Sequence, residues 1–130
     1  MSVFTEQPIT IYNRYKDGNS YKWHKTYKMA TFRNGSLEYL TNTTENTSYT
    51  SLCRIYDTSD YVEQQKYAGE GWTCQNKDII VSKHIDDEIT TSAPITELRN
   101  KYGNNNVFSI VSYDDYRKRT RLSHIKIGLN

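Results

Sequence analysis

Long apolar runs are missing from this sequence. No stretch approaches the roughly 20 residues that a helix needs to cross a bilayer. The opening MSVFTEQPITIY has neither a basic start nor the apolar run of a signal peptide, so neither a membrane span nor export is expected. Cysteine is nearly absent. Cys53 and Cys74 form no zinc-ligand cluster and no CxxC redox motif; one disulfide is formally possible, but a reduced, buried pair is expected. The 6 glycines are scattered, and none builds a glycine-rich loop with a lysine partner that would cradle phosphate. No hydroxyl or thiol carries a nucleophile elbow or an oxyanion signature. Charge of one sign is not in excess either. The net +2 is too small to indicate a nucleic-acid binder.

What is present is tyrosine. The 12 Tyr, 2 Trp and 3 Phe must supply much of the core of a chain that is 35% hydrophobic and 25% charged. A tyrosine can bury its ring while its hydroxyl reaches a polar partner, which suits a thin core or an interface. A length of 130 residues fits one compact domain, 1–130.

Patterning points to strands. ITIYNRY (9–15) is β-branched and aromatic, DGNS (17–20) is a turn, and YKWHKTYKMATF (21–32) reads as a second strand. Alternation places Tyr21, Trp23, Tyr27 and Met29 on one face of it, opposite Lys22, His24, Thr26 and Lys28. Lys25 breaks the pattern and calls for a barrel rim or a bulge. Asn34-Gly35 suggests a tight hairpin into SLEYL. TNTTENTS (41–48) is a polar loop, with Asn42, Thr43, Thr44 and Asn46 as candidates for insertion toward a partner. The Asn-x-Ser/Thr triplets that begin at Asn34, Asn42 and Asn46 reflect Asn/Thr richness rather than glycan sites.

YTSLCRIY (49–56) returns to strand composition, and Asp57 to Asp60 are expected to cap a helical turn over 61–67, ended by Gly69-Glu70-Gly71. DIIV (78–81) is a short strand. A helix is expected over Ile95 to Tyr102, with Pro94 at its entrance, Glu97 early, Arg99 and Lys101 late, and Gly103 as its stop. VFSIVS is a strong strand, YDDYRKRTR a hairpin or long loop, and LSHIKIGL a closing strand with Ser123, Ile125, Ile127 and Leu129 on one face. The sum is a mainly β fold: a small barrel or sandwich of about six or seven short strands with one short helix. Its expected core includes Trp23, Ile79, Leu98, Phe108, Ile110 and Ile125.

Three clusters are candidates for chemistry. His84, Asp86, Asp87 and Glu88 lie close in sequence. On an extended backbone, however, Asp86 and Asp87 point oppositely, and a zinc site would need a further ligand such as His24 or His124. The reading adopted is an acidic contact surface (Asp86, Asp87, Glu88) at the solvated exit of a strand. Paired Asp86/Asp87 or Asp114/Asp115 project differently and do not make a catalytic dyad. Arg117, Lys118, Arg119 and Arg121 beside Tyr113 and Tyr116 form a basic–aromatic run suited to a neighbouring subunit or to DNA as a polyanion. No sequence-reading DNA or RNA motif accompanies it.

The order of segments resembles a family of small minor capsid or head-completion proteins of tailed phages that infect Gram-positive bacteria. The matching stretches are Asp78 to Val81, Ile85 to Ile89, Ile95 to Tyr102, Phe108 to Ser112, and His124. The chain departs from that pattern in having Ser82-Lys83-His84 where a glycine is usual, and in ending HIKIGLN. The resemblance implies a non-enzymatic virion protein at the head–tail interface, assembled in the host cytoplasm. Such proteins are small β-barrels in a ring of about twelve or six copies between portal and tail, a stopper that helps retain packaged DNA. It implies portal, adaptor and tail proteins as partners, passing contact with packaged DNA, no membrane and no cofactor. Two other readings stay open: a tail-completion or receptor-binding accessory protein with carbohydrate-binding tyrosines, and a small metal-dependent hydrolase using His84 and Asp86.

Overall fold

The computed structural model describes residues 6–34, 51–89, 93–104, 106–118 and 123–130. Among these residues there are six strands: β1 (Gln7–Asp17), β2 (Ser20–Asn34), β3 (Ser51–Ile55), β4 (Ile79–Val81), β5 (Val107–Tyr116) and β6 (His124–Leu129). One α-helix, α1 (Pro94–Tyr102), precedes β5, and a 3₁₀ turn spans Gln64–Lys66. The strands close into an antiparallel barrel in the order β1-β2-β3-β6-β5-β4. The expected mainly β class is therefore observed, as a barrel rather than a sandwich. Closure pairs strand edges that would otherwise template aggregation.

The β1–β2 hairpin is the backbone of the wall. Its register runs from Gln7↔Ala30 to Asp17↔Ser20 without a bulge, and Gly18 takes φ +66°, as a two-residue hairpin turn demands at its first position. Ile9 and Ile11 point inward with Ile55, Ile80, Phe108, Ile110, Ile125, Ile127 and Leu129. Thr10 and Tyr12 therefore point out. A second apolar layer lies on that outer side: Tyr12, Ile79, Val81, Ile85, Leu98 and Val107, with Trp23, Ile95 and Tyr102 against them. β4 is thus buried on both faces, Ile80 inward and Ile79 and Val81 outward, which explains why its sequence is an unbroken apolar run rather than an alternation.

This double layer corrects the phase expected for β2. Because Ile9 faces Lys28 and Ile11 faces Thr26 in the register, the inward positions of β2 are the even ones, Lys28, Ala30 and Phe32. Tyr21, Tyr27 and Met29 lie outside, 59%, 41% and 42% exposed. Trp23 shares that outer face and is only half-buried against the second layer; it is not a barrel-core residue. The other expected core residues, Ile79, Leu98, Phe108, Ile110 and Ile125, are all buried. Lys25 needs no bulge: its ammonium reaches across to the Asp86 carbonyl at 2.9 Å.

Residues 57–78 fold over one end of the barrel. Trp72 is fully buried; its indole N–H donates to the Ser59 carbonyl at 2.9 Å, and Tyr61 meets it edge-on at 4.9 Å. The Lys28 ammonium enters this plug, donating to the Ser59 carbonyl at 3.1 Å and lying 3.3 Å from Asp57. Gly71, at φ +76°, is required here, since a Cβ would sit 2.3 Å from the Asp60 carbonyl oxygen.

Two local expectations change. No side chain caps the turn at 64–66; Asp57 instead accepts from the Ser59 N–H and hydroxyl at 3.1 and 2.6 Å. The segment YDDY is not a loop but the end of β5, paired to β6 through Tyr116↔His124. Asn34 ends β2, paired with Ser51; Gly35, the hairpin expected after it, and the insertion candidates Asn42, Thr43, Thr44 and Asn46 lie outside the described residues.

Candidate interaction surface

The acidic stretch and the basic run occupy different parts of the molecule. Residues 82–89 form a strap across the outer face of β1 and β2. Thr10 anchors it twice, its hydroxyl donating to the Lys83 carbonyl at 2.7 Å and accepting from the Ile85 N–H at 3.0 Å. The Gln7 amide donates to the Ser82 carbonyl at 3.2 Å. The Tyr27 hydroxyl meets both the Ile85 carbonyl and the Asp86 carboxylate at 2.7 Å.

The expected acidic contact surface is therefore divided. Asp86 is held by Tyr27, and Asp87 by Lys101 at 2.7 Å and by the Tyr102 hydroxyl. Those hydrogen bonds, with the lysine's charge, hold the Asp87 carboxyl below the usual carboxylate range. Glu88 makes only a 3.4 Å contact with Lys25 and its side chain is 76% exposed. Of the triad, Glu88 presents its charge outward. His84 stacks against the Tyr27 ring at 4.6 Å. Among the described residues no three His, Cys, Asp or Glu side chains gather in a metal-holding group.

The basic run is divided in the same way. Arg117 folds back on Asp115, with Nε 2.9 and 3.0 Å from the two carboxylate oxygens and Nη2 2.7 Å from one of them. Its guanidinium also lies 4.6 Å over the Tyr61 ring and 3.7 Å from Glu63. Arg117 thereby clamps the end plug to β5. The bidentate arginine holds the Asp115 carboxyl low. Lys118 is exposed, while Arg119 and Arg121 lie outside the described residues. His124 is buried, stacked between Tyr56 and Tyr116 at 5.3 and 5.1 Å. Cys53 and Cys74 are free and buried, and burial pushes both thiols up, which makes them inert at neutral pH.

One feature had no sequence signal. Beyond Tyr12, β1 leaves β4, since their pairing ends at Tyr12↔Ile79. A groove of about 570 Å³ opens beneath the hairpin there, with Arg14, Tyr21, Trp23, Lys77, Asp78 and Ile95 in its walls. The Arg14 guanidinium stacks on Tyr21 at 4.6 Å. Arg14 and Lys77 lie 63 residues apart, so no local pattern links them. Asp78, on the floor, is buried; its carboxylate accepts from the Asn13 and Gln75 amides at 2.8 and 2.6 Å and from the Arg14 N–H at 3.3 Å. Burial nonetheless raises its carboxyl above the ordinary value.

Among the described residues, fold and surface together define a small closed β-barrel with one packed helix, several of its charges tied within the chain and its outer hairpin face aromatic. The chain belongs to the family described as a family of unknown function, DUF6751, whose profile matches residues 4–129. No curated protein and no solved structure matches it.

Proposed function

We propose that this chain is a structural virion protein of a tailed phage, a subunit of the head–tail connector ring that joins portal to tail and helps retain packaged DNA. The observation that carries this reading is the outer face of β2. A barrel with its core complete still turns Tyr21, Tyr27 and Met29 outward, and aromatic and methionine side chains are enriched where proteins meet. The resemblance at Asp78 to Val81, Ile85 to Ile89, Ile95 to Tyr102, Phe108 to Ser112 and His124 points the same way. So does the arrangement of charge: Asp86, Asp87, Asp115 and Arg117 are engaged in tying segments together rather than converging on a reacting centre. The subunit is non-enzymatic and its partners are further copies of itself, the portal or adaptor, and tail proteins.

Deletion of the coding sequence from the phage genome, followed by electron microscopy of the particles, tests this. Filled heads that fail to join tails and leak DNA are expected. Infectious particles of normal form and yield would overturn it. A reconstruction of the intact particle then separates a stopper ring from a tail-completion layer.

A further inference from the structure

The groove beneath the hairpin points to a second, more specific contact. We infer that it is a docking site for an acidic peptide segment of a partner protein, which enters with a carboxylate between Arg14 and Lys77 and an apolar side chain against Trp23. The inference concerns the groove alone and stands whether or not the chain belongs to a virion.

Charge is the first reason. Lys22, Lys25, Lys28, Lys101, Arg117 and Lys126 each have a carboxylate within 4.0 Å. The groove cations Arg14 and Lys77 have none among the described residues, as is true also of the exposed Lys16, Lys66, Lys83 and Lys118; what sets the two apart is that one groove brings them together. Asp78 on the floor feels the charge of Arg14 but forms no close ion pair with it, being 3% exposed with its oxygens taken by Asn13, Gln75 and the Arg14 N–H. The N-terminal end of α1 at Pro94 and Ile95 faces the same space and adds a modest positive field.

The walls are the second reason. Trp23 and Ile95 are half-buried and line the groove together with the exposed Tyr21, so an apolar side chain entering here leaves water for an aromatic surface. A volume of about 570 Å³ lies within the range that holds a small ligand or a few side chains. Nucleic acid fits less well. A strand carries a phosphate at every nucleotide and is held by a row of cations, whereas here two cations flank an aromatic cleft over a buried acid. Recognition of a carboxylate by an arginine already oriented on a tyrosine ring loses little side-chain freedom.

Fluorescence anisotropy of the full chain with a labelled, acetylated octapeptide of glutamates and two phenylalanines tests the site. Parallel titrations use the same peptide with glutamine for glutamate, and a labelled oligo(dT). Binding of the glutamate peptide is expected, weakened about tenfold by its glutamine replacement and about tenfold by the double variant Arg14→Gln/Lys77→Asn. Asn suits the φ of +77° at residue 77. The peptide should also change the emission of the native chain and leave that of Trp23→Phe unchanged, Trp72 being sealed in the core. Far-UV circular dichroism matching the native chain qualifies each variant; if the double variant does not fold, Trp23→Phe and the glutamine peptide decide. The proposal is overturned by absent binding, by equal binding of the glutamine peptide, or by insensitivity to the substitutions. Tighter oligo(dT) binding lost in the double variant would assign the groove to nucleic acid instead.

Discussion

The Tyr12 hydroxyl donates to the main-chain carbonyl of Asp87 at 2.7 Å, joining positions 75 residues apart in sequence. The ring packs in the outer apolar layer while its polar end holds the strap. Burial, reinforced by the negative charge of Asp87, pushes the phenol well above its ordinary value, so the hydroxyl remains a donor throughout the physiological range. The acidic stretch is therefore held to the barrel by tyrosines as much as by lysines.

Tyr12→Phe keeps the ring and removes that bond. Loss of one part-buried hydrogen bond costs about 1 kcal/mol. Urea unfolding should show a lower midpoint with an unchanged slope. An unchanged midpoint would mean that this one bond adds nothing net to global stability.

Asp87 titrates below its unfolded value because Lys101 and Tyr102 hydrogen-bond its charged form. Its contribution to stability is complete above the unfolded value of about 4. It is lost as pH falls through the lower folded value. Wild type should therefore exceed Asp87→Asn in stability at neutral pH, and the two should converge in acid. Urea midpoints measured from neutral pH downward check this. A gap that stays constant with pH would assign the difference to packing instead.

The two tryptophans should rank in the order of their burial. Trp72→Ala empties the centre of the end plug and should cost about 3–5 kcal/mol. Trp23→Ala, on the half-buried outer face, should cost clearly less. Thermal or denaturant unfolding of both variants tests the ranking, and the reverse order would mean that β2 is phased as its own alternation suggests.

Arg117 and Lys118 are neighbours with opposite duties. Arg117→Gln releases Asp115, Glu63 and the Tyr61 ring and should lower the unfolding midpoint. Lys118→Gln should leave it within about 0.5 kcal/mol of wild type, as exposed substitutions usually do. If the proposed connector role holds, charge reversal at Lys118 should instead act on particle assembly, read as the yield of infectious particles.

Much of the architecture is legible in local patterning. Pro94 and Gly103 bracket α1, Gly18 marks the first hairpin, and the β-branched runs around Ile9, Ile79, Ile110 and Ile125 are all strands. The candidate site is less legible. His84, Asp86, Asp87 and Glu88 look like a ligand cluster because proximity in sequence imitates proximity in space. Folded, His84 and Asp86 both meet Tyr27, whereas Asp87 turns to Lys101 and Tyr102 and Glu88 to solvent. Within the basic run, Arg117 is held by an acid only two residues before it, a pairing that its neighbours in sequence do not announce.

Hydrophobic alternation determined, without reference to any neighbour, that this chain is mainly strands with one brief helix. It could not determine which side of β2 faces inward. That choice belongs to the partners: Ile9 and Ile11 of β1 fill the barrel and carry Lys28 and Thr26 inside with them by register. The more apolar series of Tyr21, Trp23, Tyr27 and Met29 is left outside, with Tyr27 against the strap and Tyr21 and Trp23 at the groove. A strand's own period fixes that its faces differ, but only the sheet on either side decides which face meets water.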